Sequence, residues 1–188
     1  MKSWLAALLL IAQAPAALAA WEPDPADALQ VASARTMAEW RAAAPALEPF
    51  FADACAVAVF PRIIHVGLGA GVAWGRGVLL VADRMTGEIS QSAVSLGLQA
   101  GGEAHSQLIF FRTCEAVDLF IKSDNLGPVA GRGEFGGRAS AAAPWTGASA
   151  DAAFSSDVAI FSRVRGGLML QLAAEGTRYR FAPAADAR

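Results

Sequence analysis

Hydrophobic and polar positions along the chain follow two periods in succession. Between Ala26 and Trp40, Leu29, Ala32, Thr36, Met37 and Trp40 recur near helical spacing, and Asp24 or Asp27 stands where a cap belongs. A second short helix is expected through "APALEPFFADA", residues 44–54. The apolar stripe of each predicts docking on a core. From Cys55 the period shortens to two. "CAVAVFPRII" has the β-branched and aromatic content of a buried strand, with Pro61 marking its end or a bulge. A turn is expected in "DRMTGE", where Gly87 suits a hairpin. "ISQSAVSLGLQAGG" predicts a strand or strand pair, and "HSQLIFFR" another. "TCEAVDLFIKSDNLG" returns to helical spacing, with Thr113 as cap and Gly127 after the end. Residues 128–157 are rich in Gly, Ala and Ser and predict loop with one or two short strands. "VAIFSRVRGGLMLQLAAEGTRYRF" alternates like a hairpin of two or three strands.

The stretch "IIHVGLGAGVAWGRGVLLV", residues 63–81, decides between two classes of protein. Its glycines invite comparison with a phosphate-cradling loop, but G-x-G-x-x-G fails from either start, because Val72 or Trp74 stands where the third glycine belongs. No Gly-Lys-Ser/Thr tripeptide exists in the chain. Gly67, Gly69, Gly71, Gly75 and Gly77 instead share odd positions with Ala73, while Leu68, Val72, Trp74 and Val78 hold even ones. Alternate residues of a strand face opposite sides, so one face is nearly bare backbone. Such a face fits a sharply curved strand against which a backbone, a ring or a ligand approaches closely. The bulky face is expected to line the core or an apolar cleft.

The ends and the charges narrow the setting. "MKSWLAALLLIAQAPAALAAW" has a basic start, a short apolar run and the small-residue pattern Ala17-Leu18-Ala19, which predicts a signal peptide over residues 1–19 and a periplasmic or secreted domain over 20–188. In that oxidising setting Cys55 and Cys114 can pair, and the sequence leaves the pairing open. Lys and Arg number 15 against 17 Asp and Glu, a balance that disfavours nucleic acid as a partner.

Candidate chemistry is sparse. His65 and His105 both lie in strand-like sequence, and no G-x-S-x-G elbow exposes Ser92, Ser95 or Ser106 as a nucleophile. No H-x-H, C-x-x-C or H-E-x-x-H spacing is present, and Glu103 with His105 offers too few ligands for a zinc site. No catalytic, metal or cofactor-binding residue is therefore assigned. Arg62, Arg76, Arg84, Arg163 and Arg165 lie near expected strand ends or turns, where guanidinium forks can meet a phosphate.

Several segments together resemble the SYLF-domain family. They are the apolar strand ending in Phe60-Pro61, the glycine strand, Ser95-x-Gly97-Leu98-Gln99-x-Gly101, Leu126-Gly127, Gly136-Gly137-Arg138, Phe161-Ser162, Arg165-Gly166-Gly167-Leu168 and Glu175-Gly176. They run in order over residues 54–176. The Trp-Ser-x-Pro segment usual in that family is replaced by "TGEISQSA", and the eukaryotic lipid-reading N-terminal segment has no counterpart, so phosphoinositide specificity does not carry over; actin binding does not fit the expected periplasmic setting. The order of elements predicts an α+β fold, helices first and then a mostly antiparallel sheet with one inserted helix, and with the resemblance that sheet is expected to be curved, partly closed and barrel-like. The resemblance further implies non-enzymatic binding of phospholipid or a membrane surface, without a cofactor. Arg62, Arg76, Arg84, Arg163, Arg165 and Trp74 are then the expected lipid contacts. The competing expectation is an envelope interaction module that binds a protein through Trp145 or an edge strand.

Overall fold

The computed structural model describes residues 21–122 and 157–184, with residues 97–99 and 166–176 described by backbone alone. The fold is α+β: helices α1 (Ala28–Ala43) and α2 (Glu48–Asp53), joined by a 3₁₀ turn at Pro45–Leu47, come first. Strands β1 (Ala56–Val81) and β2 (Arg84–Phe111), helix α3 (Cys114–Lys122) and strand β3 (Val158–Pro183) follow. The sheet is antiparallel in the order β1-β2-β3, and no ladder joins β1 to β3 among the described residues. The leader, residues 128–156, Trp145 and the motifs at Leu126-Gly127 and Gly136-Gly137-Arg138 lie outside the described residues.

Local signals account for the helices. The Asp27 carboxylate accepts from the backbone N–H groups of Leu29 and Gln30 at 2.8 and 3.2 Å, and Thr113 Oγ1 accepts from Ala116 N–H at 3.2 Å. Helix α1 buries Ser33, Thr36 and Trp40, and the indole N–H of Trp40 donates to Ser106 Oγ at 3.1 Å. Cys55 and Cys114 form a disulfide that ties the start of β1 to α3.

The strands depart from the expected number. A single β3 replaces the hairpin expected in residues 158–181, and a single β2 replaces two or three separate strands. Gly166 and Gly167 do not turn the chain. They pair with Ala104 and Glu103 beside a bulge that leaves Arg165 unpaired in the ladder. The β1–β2 turn falls at Ala82 and Asp83, both at positive φ (47° and 58°), the geometry of a two-residue hairpin. Gly87 is already inside β2, where a β-carbon would strike Phe181. Pro61 does mark a bulge, between the pairs Phe60–Gln107 and Ile63–His105.

Strand β1 turns back on itself. Fully extended it would span roughly 85 Å at 3.3 Å per residue. Yet the N–H of Ala82, just past its end, donates to the carbonyl of Cys55, just before its start, at 2.9 Å. Corners supply the curvature: the bulge at Pro61-Arg62, and Gly69, which at φ 72° stands opposite residues 97–99 of β2.

Coiling gives the ribbon two faces with separate cores. Ala58, Phe60, Ile63, Ala73, Leu79, Ile89, Ile109 and Phe111 fill the concave side, which Val117 and Phe120 of α3 plug. Trp40, Leu47 and Phe50 from the N-terminal helices cover the other side, packing on Val57, Val59, Val78, Leu80, Leu108 and Phe110.

Candidate functional site

The odd-numbered glycines belong to the concave side. Gly71 and Gly77 are buried, Gly67 and Gly75 half-buried, and Gly69 exposed at its corner. A β-carbon on Gly75 would lie 2.7 Å from Ile63 Cγ1 and 2.8 Å from the carbonyl oxygen of Arg62, and one on Gly77 would overlap the carbonyl of Val59. The neighbour against the bare face is thus the first arm of β1 itself. Close passage of one backbone over another requires glycine there.

This placement corrects the expectation for the bulky face. Leu68, Val72 and Trp74 line neither core nor enclosed cleft; they point outward. Val66, Leu68, Val72 and Trp74 of β1, with Val94 and Leu96 of β2, are between 41% (Val66) and 83% (Leu68) exposed. Val72 pairs with Val94, and Leu96 with Ala70. Along β1 the same parity continues through Arg76 to Val78 and Leu80, which the N-terminal helices cover. The helices stop short, and the apolar face runs on beyond them without cover from the described residues.

A basic band follows the apolar one. The ladder places Trp74, Ser92 and Arg178 in one cross-strand row and Arg76, Ser90 and Arg180 in the next. Arg76 is bonded to Glu88, which raises its pKa further above the usual guanidinium value, and the Asp27 charge adds to that effect. Arg62, re-aimed by its bulge, approaches the same region from the first arm of β1.

The remaining arginines are elsewhere. Arg165 is engaged by α1, donating to Glu39 Oε2 at 2.8 Å and Thr36 Oγ1 at 3.0 Å. Arg163 lies opposite Ser106, and Arg84 stands at the hairpin turn. Of the arginines expected as lipid contacts, only Arg62 and Arg76 come to Trp74. Arg178 and Arg180 were missed, although Arg178-Tyr179-Arg180-Phe181 alternates as a strand with one basic face.

The histidines sit in a buried polar cluster. His65 Nε2 lies 3.3 Å from Ser95 Oγ; Glu103 stands opposite His65 in the ladder, and His105 Nδ1 lies 3.5 Å from Glu103 Oε1. Contact with His105, aided by the charge of His65, holds the Glu103 carboxyl below its usual range against the opposing effect of burial. Ser95 is only 1% exposed, and the groove of 840 Å³ that reaches His65 and Glu103 does not reach Ser95. A hydrolytic nucleophile must meet its substrate, and in this arrangement Ser95 does not. Among the described residues no three His, Cys, Asp or Glu side chains are grouped to hold a metal ion, and no helix is long and apolar enough to cross a membrane.

No family model matches this chain, and no curated protein matches it.

Proposed function

We propose that this protein is a non-enzymatic, SYLF-like module of the periplasm or cell exterior that binds phospholipid surfaces. Its curved, partly closed sheet offers the outer face of β1 and β2 to the bilayer. One observation carries the reading: the uncovered apolar face from Val66 to Val72 on β1 and from Val94 to Leu96 on β2 gives way to the cross-strand rows Trp74-Ser92-Arg178 and Arg76-Ser90-Arg180, whose last members lie on β3. An apolar tip, an indole and a basic belt are the sequence of environments met on crossing from acyl chains to headgroups.

The magnitudes favour reversible attachment. Six partly exposed side chains leaving water at roughly 1 kcal/mol each give about 6 kcal/mol, comparable to one myristoyl chain, which binds membranes only marginally. Arginines near an anionic surface add about 1 kcal/mol each. The formal net charge of −2 works against long-range attraction. Binding therefore depends on the local face.

Co-sedimentation of the mature chain with vesicles tests this. Pelleting with phospholipid vesicles is expected, more with anionic than zwitterionic ones. Failure to pellet with any phospholipid would leave the face to a protein partner and end the lipid reading.

A further inference from the structure

Beside Trp74 the outer face opens into a groove of 690 Å³ between α1 and the sheet. Leu29 of α1, Ile64 and Trp74 give it apolar walls, and the guanidinium-bearing residues Arg62, Arg76 and Arg180 line it. Arg76 and Arg180 flank Ser90 on neighbouring strands, so their Cα atoms stand about 10 Å apart on one face. Both line the groove together with Ser90. The acidic groups nearby are already engaged: Glu88 bonds Arg76, and Asp27 caps α1. Neither Arg62 nor Arg180 has an ion-pair partner among the described residues. Two unneutralised forks therefore share a groove whose third arginine is already paired.

We propose that this groove binds the phosphate of a phosphate ester, with Arg62 and Arg180 as its principal ligands and Ser90 as a neutral donor. A phosphate offers acceptor oxygens in several directions and suits forks that arrive from different strands, whereas a carboxylate offers two in one plane. The apolar walls then adjoin the organic part of the ester. Trp74 belongs to both the groove and the apolar face, so when the Leu68–Leu96 end is buried in a bilayer the groove meets the headgroup layer. The assignment of a phospholipid as the source of that phosphate rests on the membrane reading above. The phosphate site itself does not.

The test compares the mature protein with Arg62→Gln/Arg180→Gln and a charge-matched control, Arg84→Gln/Arg163→Gln, each checked for folding by circular dichroism. Binding is measured to vesicles of phosphatidylcholine with and without phosphatidic acid, and separately to soluble glycerol 3-phosphate by NMR titration. The expected result is a loss of about tenfold or more on phosphatidic acid vesicles, with loss of the glycerol 3-phosphate response in the groove variant alone. If only the soluble response is lost, the phosphate site stands and its ligand is a soluble ester. If the wild-type chain ignores all vesicles yet binds glycerol 3-phosphate, the membrane reading fails and the groove stands. Equal behaviour of the groove and control variants, or no response of the wild type to the soluble ester, would overturn the proposal.

Discussion

Gly77 lies against the carbonyl of Val59, in the same strand, so closely that a β-carbon on it would also come within 3.1 Å of the Phe60 Cα. Contact of this kind between two arms of one strand makes the coil possible. Gly77→Ala is therefore expected to cost at least about 3 kcal/mol, because backbone on both sides must move. Gly75→Ala meets a side-chain atom as well as a carbonyl and should cost about 2 kcal/mol. Gly69→Ala has open space and only positive φ to overcome, about 1 kcal/mol. Urea denaturation of the three variants checks the order, and a costless Gly77→Ala would contradict the coil.

The hairpin turn predicts a gain. Ala82 holds φ 47° without glycine's freedom while its N–H is tied to Cys55. Ala82→Gly should stabilise by up to about 1 kcal/mol, relief of left-handed strain being partly offset by chain entropy. A raised denaturation midpoint checks it.

The disulfide closes a sequence separation of 59 residues. Cys55→Ser/Cys114→Ser should lose about 4 kcal/mol by the chain-entropy estimate. Thermal melting compares it with the parent, and thiol alkylation followed by mass spectrometry verifies the bond. Unchanged melting would remove the bridge from the account of stability.

Glu103 makes an acid-side prediction. Its carboxyl is held below the ordinary 4.5, mainly by His105, so the folded state favours the ionised form. The stability this provides is fully present above 4.5 and is lost as pH falls through the lowered folded value. Relative to the parent, Glu103→Gln should show a shallower fall in stability below about pH 4.5. Parallel acid titrations of the two proteins would refute it.

The helices and their caps were legible because Asp27 and Thr113 act on residues a few positions away. The parity of Gly67 to Gly77 was equally legible, since alternation is local. Which parity faces inward was not, because that depends on the first arm of β1 returning against Gly75 and Gly77. Strand number failed for a similar reason: Gly166-Gly167 serves a turn or a bulge equally well until β2 is placed beside it. Arg180 was missed because only the register sets it across Ser90 from Arg76. Alternation in "RYRF" marked a basic face without naming its neighbours.

The central claim is that the face around Trp74 enters the headgroup region of a bilayer. Fluorescence quenching by phosphatidylcholine brominated along its acyl chains, mixed with phosphatidic acid, measures this directly when the mature protein is compared with Trp74→Phe. The account predicts strong quenching of the emission that the substitution removes, so that the parent is quenched by a clearly larger fraction than the Trp74→Phe protein, which keeps Trp21, Trp40 and Trp145. Equal fractional quenching in the two proteins, or none in either, would contradict it.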